Sequence, residues 1–264
     1  MSLTTDLLAC TVPVVHRARR NGRPIPAGTG LLLRIGDSSF VLTAAHVFDH
    51  ASDRIGVGLG SQIVPLGFRW RSTSHTSSSD LVDVAVAFLE GLPNLPEDCR
   101  FLTLADLDPI ERSSDRQRET AYLALGFPDK KQRFYDGRYV PKADHFLANL
   151  TAIDEHHIKV RYAEGDFVNS HGPVETSDPT GMSGGGLWRV ASALKGVPTV
   201  SLVGILTEWD RPNQQIVATR ISSILAGIYA CEPAARPVIR LYFHDWVRDT
   251  VMPNVVNSAN TLNP

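Results

Sequence analysis

Residues 181–186 read Gly181-Met182-Ser183-Gly184-Gly185-Gly186, a serine set among glycines. Attack by a serine hydroxyl on an acyl carbon needs backbone N–H groups aimed at the developing oxyanion. Glycine permits both the unusual backbone angles and the close substrate approach that this requires. On this reading the N–H groups of Gly181 and Ser183 are the donors, and such a donor contributes about 3–4 kcal/mol of transition-state stabilisation. A glycine-rich serine loop alone is more often a turn than a reactive site, so the reading depends on what else the chain carries.

Two further segments supply it. Thr43-Ala44-Ala45-His46 closes an apolar stretch, where small residues let a strand pack closely while an imidazole projects from its end as a general base. Asp83-Val84-Ala85-Val86 places an acid at the opening of an apolar strand. Asp80 is the rival orienting acid, three residues earlier. Read together, TAAH, DVAV and GxSGG in the order His, Asp, Ser resemble the signature segments of the trypsin/chymotrypsin superfamily of serine peptidases. Other triad hydrolases present the same residue types in different chain orders, so the order carries information. The resemblance spans about residues 27–224 and favours Asp83 over Asp80.

The resemblance implies an all-β chain of two six-stranded Greek-key antiparallel barrels, with a C-terminal helix and tail. It divides the chain into a first barrel (1–110) carrying His46 and Asp83, a linker (111–119), a second barrel with its helix (120–232) carrying Ser183, and a tail (233–264). Function follows as a serine endopeptidase acting through an acyl-enzyme on Ser183, with His46 as base, Asp83 as orienting acid, and no metal or organic cofactor. The alternatives are a silent protease-fold scaffold that binds a protein partner, and an esterase using the same three residues. By the same resemblance Ser177 lies near the floor of the specificity pocket, and Thr207, Glu208, Trp209 and Ile216 form its walls. Residues 207–209 would also pair with the substrate backbone by strand addition. No acid stands clearly at the floor, although Asp178 is adjacent, and Trp209 occupies a position where glycine is common; a small or medium uncharged residue before the scissile bond is expected.

The bulk properties agree with a folded β-rich chain. At 264 residues, 43% hydrophobic and 20% charged, it can bury a large core, and 20 Gly with 17 Pro supply turns for many short elements. Strand-like segments fall at 11–16, 30–35, 40–43, 63–70 and 82–89, then at 121–127, 158–162, 186–190, 200–206 and 215–220. Residues 221–229 have the spacing of an amphipathic helix. The tail carries Ile239, Leu241, Tyr242, Trp246 and Val247, enough apolar surface to dock on its own barrel or on a regulatory partner. Residues 71–79 read as an exposed loop.

A net charge of −2 gives no general attraction to nucleic acid or anionic membrane, so a protein or peptide substrate is the expected partner. The basic run at 17–23 reads as a solvated hairpin tip. Cys10, Cys99 and Cys231 are scattered and odd in number, unlike a secreted disulfide framework; with no basic leader followed by an apolar stretch, a cytoplasmic location is expected. His50 and the pair His156-His157 lack the ligand spacing of a zinc site. Met182 stands where many secreted relatives of this kind have an Asp that pairs with a new N-terminal amine, so that salt bridge is not expected to activate the protein. Gly186 replaces a common proline, which is expected to loosen the loop.

Overall fold

The computed structural model describes residues 3–17, 23–49, 55–60, 62–71, 82–89, 95–109, 120–135, 138–162, 168–169, 172–173, 178–191 and 199–251. The expected linker at 111–119 lies outside the described residues, as do the expected loop at 71–79 beyond Arg71, the basic run at 17–23 between Arg17 and Arg23, Asp80, His50 and Ser177.

After a short helix α1 (Leu3–Leu8), the first half forms β1 (Thr11–Arg17), β2 (Pro24–Ile35), β3 (Ser38–Thr43), β4 (Ile55–Leu59), β5 (Gln62–Pro65), β6 (Gly67–Arg71) and β7 (Ala85–Phe88). These make one sheet in the order β5-β4-β1-β2-β3-β7-β6, with every pairing antiparallel. The second half forms β8 (Thr120–Gly126), the hairpin β9 (Arg133–Tyr135) and β10 (Arg138–Val140), β11 (Asp144–Ala148), β12 (Leu150–Ile153) and β13 (His157–Arg161). It continues with the small hairpin β14 (Val168–Asn169) and β15 (Gly172–Pro173), then β16 (Gly186–Ala191), β17 (Thr199–Asp210) and β18 (Gln215–Arg220). The second sheet runs β11-β8-β16-β17-β18-β13-β12.

Each sheet therefore has seven strand segments where six strands were expected, and one device accounts for both. The outermost segments β5 and β6 are consecutive in the chain, separated by Leu66 alone, and β11 and β12 are likewise separated by Asn149. One bent strand thus contributes to both edges of its sheet, which curls the sheet upon itself and shields its edges. Both corners stay bonded: the Leu66 N–H donates to the Ile55 carbonyl at 3.1 Å, and the Asn149 carbonyl accepts from Arg161 N–H at 2.9 Å.

Strands in the middle of these sheets are buried on both faces, which is why they read as apolar runs instead of alternating patterns. In β2, Leu32 points into the first barrel while Leu31, Leu33 and Ile35 face a core shared with the second. In β8, Tyr122 and Ala124 point into the second barrel while Leu123 and Leu125 enter the shared core. Residues 95–109 cross between the sheets. Leu102 bridges Leu33, Leu107 bridges Leu202, and the Asp108 carboxylate pairs with Arg189.

Helix α2 (Ile221–Cys231) and the segment after it cover the shared core. Ala235, just before helix α3 (Arg236–Tyr242), and Ile239 within it are buried, and the turns that follow bury Trp246, Val247 and Val251 in the same cluster as Phe40 and Leu42 of the first half. Arg236 fastens this segment to the C-terminal end of α2, donating to the carbonyls of Tyr229 and Ala230 at 2.7 Å each, a position where a cation also complements the helix dipole. Through residue 251 the tail is thus part of its own barrel's covering. Trp246→Ala is expected to lower unfolding stability by about 3–5 kcal/mol, whereas Leu241→Ala, at 86% exposure, should change it by less than about 0.5 kcal/mol. Equal urea midpoints for the two variants would contradict this docking.

Candidate active site

The antiparallel register of β3 and β7 brings the first two candidate residues together. Thr43 pairs with Ala85 at the end of both strands, so continuing each chain by two or three residues places Asp83 beside His46. Asp83 lies just outside β7, which begins at Ala85 and not at 82 as its apolar pattern had implied. Ala44 and Ala45 are buried, and the chain turns through a short 3-10 helix (Ala45–Phe48) that presents the imidazole. The Asp83 carboxylate grips His46 at two points: Oδ1 accepts the backbone N–H at 3.0 Å and Oδ2 lies 2.6 Å from Nδ1. That hydrogen bond is the main force raising the His46 pKa above its ordinary value; burial opposes it, and the charges of Asp83 and Asp49 add to it.

Ser183 sits in the loop before β16, against the backbone of β2. A side chain on Gly28 would meet both Val47 and the Ser183 carbonyl, so only glycine allows this approach of the two halves. Ser183 and His46 line one pocket of about 450 Å³, together with Gly181, Met182, Trp209 and Ile216 among others. The Ser183 hydroxyl makes no hydrogen bond among the described residues.

The backbone of the loop is committed almost completely. The carbonyl of Thr180 accepts from Asp129 N–H at 2.8 Å, and that of Gly181 from the Thr29 hydroxyl at 3.0 Å. The carbonyl of Met182 accepts from Gly185 N–H at 2.8 Å, and that of Ser183 from Thr29 N–H at 2.8 Å. Met182 N–H and Gly184 N–H donate to Pro179 and Leu206 at 2.9 and 2.7 Å. The N–H groups of Gly181 and Ser183 meet no acceptor among the described residues. In a trans peptide the N–H points opposite the carbonyl, so anchoring Thr180 and Met182 turns these two donors away from their anchors. Gly181 holds φ +93°, and a side chain there would run into Asp129.

Two departures noted in the sequence acquire physical reasons. Met182 is buried against Gly126 in the interior of the second barrel. Gly186 does not loosen the loop: it opens β16, paired with Leu125 on one side and Ile205 on the other, and the Trp188 indole fills the space a side chain would need.

Beyond Leu206, β17 is paired with β18 alone, with Glu208 opposite Val217 and Trp209 opposite Ile216, so residues 207–210 keep one edge free of β16. Thr207, Glu208, Trp209 and Ile216 all line the pocket. Trp209 is braced by the edge of Tyr162 at 5.9 Å and by the Arg211 guanidinium stacked at 4.1 Å. Asp178 is occupied elsewhere: burial works against its charge, but hydrogen bonds from Thr180 and the nearby Lys130 leave its pKa lowered. Asp129, which the sequence reading overlooked, lines the pocket, and burial, reinforced by the charge of Asp178, raises its pKa. His156 and His157 turn to different partners, Ser223 and Asp154, and no cluster of three metal-ligating side chains occurs among the described residues.

Two curled antiparallel sheets meeting over a shared core, with the pocket where they join, define the architecture. The fold is chymotrypsin-like. The chain is similar in structure to the Rv3671c protease from M. tuberculosis in its active form, with a TM-score of 0.50 and 17% identity over 87% of this chain and 83% of that one. No family model and no curated protein matches the sequence. Within this chymotrypsin-like frame the His46–Asp83 pair is directly measurable. In an NMR titration the His46 imidazole should titrate above the roughly 6.5 of a free histidine, and Asp83→Asn should move it down. An unchanged pKa in that variant would mean that Asp83 does not govern the ring.

Proposed function

We propose that the protein is a serine endopeptidase in which Ser183 is the nucleophile, His46 the general base and then acid, and Asp83 the orienting acid. The observation that carries this reading is the arrangement of the 180–183 loop, in which the N–H groups of Gly181 and Ser183 alone find no acceptor among the described residues, in a pocket that the Asp83-held imidazole also lines. With Nδ1 held by the carboxylate, Nε2 is the nitrogen left to serve the hydroxyl.

Ser183 Oγ attacks the carbonyl carbon of the scissile bond while its proton passes to His46 Nε2. The oxyanion is received by the N–H groups of Gly181 and Ser183. Collapse breaks the C–N bond, and His46 returns the proton to the leaving amine. Water then attacks the acyl-enzyme, giving its proton to His46; collapse breaks the C–Oγ bond, His46 returns that proton to Ser183 Oγ, and the acid product leaves. Asp83 orients the ring and stabilises the imidazolium.

Residues 207–210 offer a one-sided strand edge to a peptide, and Trp209 with Ile216 narrows the pocket beside it. This supports a small or medium uncharged residue before the scissile bond, because the Asp178 carboxylate is already engaged by Thr180, Lys130 and Arg211. Cys10, Cys99 and Cys231 are free thiols, which favours a reducing compartment such as the cytoplasm. No helix among the described residues is long and apolar enough to cross a membrane.

A fluorophosphonate probe should label the protein at Ser183, and Ser183→Ala should abolish labelling. Asp83→Asn should cost roughly 10⁴ in turnover. Absence of labelling in the wild-type protein would favour a binding scaffold, and labelling with ester but no peptide hydrolysis an esterase. Profiling a peptide library should give cleavage after small or medium uncharged residues. Dominant cleavage after Arg or Lys would refute that preference and point to Asp129 as the recognising carboxyl.

A further inference from the structure

We infer that Thr29 is a positioning residue for the reaction proposed above, clamping the Ser183 loop so that the Gly181 and Ser183 N–H groups stay directed into the pocket; the inference rests on that reading. Thr29 lies in the apolar strand β2 of the opposite barrel and is fully buried. Every polar atom it owns is used on the site or its supports. Its amide donates to the Ser183 carbonyl at 2.8 Å, and its hydroxyl donates to the Gly181 carbonyl at 3.0 Å. The same hydroxyl oxygen accepts from Phe127 N–H at 2.8 Å, two residues before the Asp129 amide that holds the Thr180 carbonyl. Its own carbonyl accepts from the Thr43 hydroxyl at 2.6 Å, three residues before His46.

Two of the four loop carbonyls from 180 to 183 are therefore held by this one residue, and it ties the loop to the segment that carries the imidazole. Among the described residues no side chain of 180–183 forms an ion pair that could do so, Met182 being apolar and buried. Gly181, at φ +93° and without a side chain, has little intrinsic resistance to a swing of its peptide. Without the hydroxyl, the 181–182 peptide that lies between the two donors keeps only the Met182 N–H bond to Pro179. Phe127 N–H, two residues before the Asp129 amide that fixes the Gly181 peptide through the Thr180 carbonyl, also loses its partner, so both flanks of the donor pair are loosened. Such a residue acts on the chemical step far more than on substrate binding, since the oxyanion is present only in the transition state.

The test compares Thr29→Val, which keeps the shape and removes the hydroxyl, with Thr29→Ser, which keeps the hydroxyl. The readouts are the rate of fluorophosphonate labelling at Ser183, kcat and KM on a peptide that the wild-type protein cleaves, and thermal unfolding. Thr29→Val should lower kcat and the labelling rate by about 100-fold with KM changed less than about threefold, and Thr29→Ser should recover all but about fivefold of the loss. Wild-type kcat in Thr29→Val, or equal losses in both variants, would overturn the inference. If Thr29→Val does not fold, Thr43→Val serves, since it releases only the Thr29 carbonyl: a kcat fall of about tenfold at constant KM supports the clamp, and an unchanged kcat overturns it. A wild-type protein that the probe never labels removes the serine-peptidase reading and the inference with it, whereas a labelled wild type with a fully active Thr29→Val removes the inference alone.

Discussion

The two halves of the molecule are joined backbone to backbone where the candidate chemistry lies: the Thr29 amide of the first barrel donates to the Ser183 carbonyl of the second. This bond forms because Gly28 has no side chain to hold the two backbones apart. Around it the loop's carbonyls are taken up one after another, so the loop has few ways to relax. A buried carbonyl without a partner is costly, and satisfying each one fixes the direction of the N–H on the same peptide. The orientation of the two free donors follows from where the carbonyls are bound.

The sheets make such a contact possible by curling upon themselves. Each is sealed by a strand bent at a single residue, Leu66 or Asn149, whose two arms lie at opposite edges of the sheet. Their central strands are apolar on both faces, one filling the barrel and the other a common core that includes Leu33, Leu125 and Trp188. The C-terminal segment lays Ile239 and Trp246 on that core, and so helps hold one barrel against the other. Relative sliding of the barrels would disturb both the shared packing and the pocket at their junction.

Charge at the site is distributed unevenly, and the differences are local. Asp83 is committed to His46, and Asp178 to Thr180, Lys130 and Arg211. Asp129 sits next to Gly181 with its pKa raised by burial and by the charge of Asp178, whereas at Asp178 burial is outweighed by hydrogen bonds from Thr180 and the nearby Lys130, which leave its pKa lowered. Residues only one position apart, such as Asp129 and Lys130, thus meet opposite environments, one lining the pocket and the other pairing outside it.

Much of this was legible in the chain. The runs around Leu32, Val41, Leu123 and Val203 announced strands and the 221–229 periodicity announced α2, because local preferences reside in neighbouring residues; of the three short motifs, the fold pairs His46 with Asp83 and brings His46 and Ser183 to one pocket. The strand bends at Leu66 and Asn149 were not legible, since nothing in a single residue says which sheet edge each flanking arm will join. Thr29 and Asp129 were likewise invisible, because an isolated threonine between two glycines and an isolated aspartate after a proline acquire meaning only from partners up to 152 residues away. Whether the tail's apolar side chains covered their own barrel was decided only by folding, as burial depends on which surface is near and composition records only that some surface must be. The sequence by itself determined which short motifs the chain carries and which segments would be strands. Tertiary structure alone decided which backbone N–H groups stay unpaired and where they point, because that depends on long-range partners for every neighbouring carbonyl.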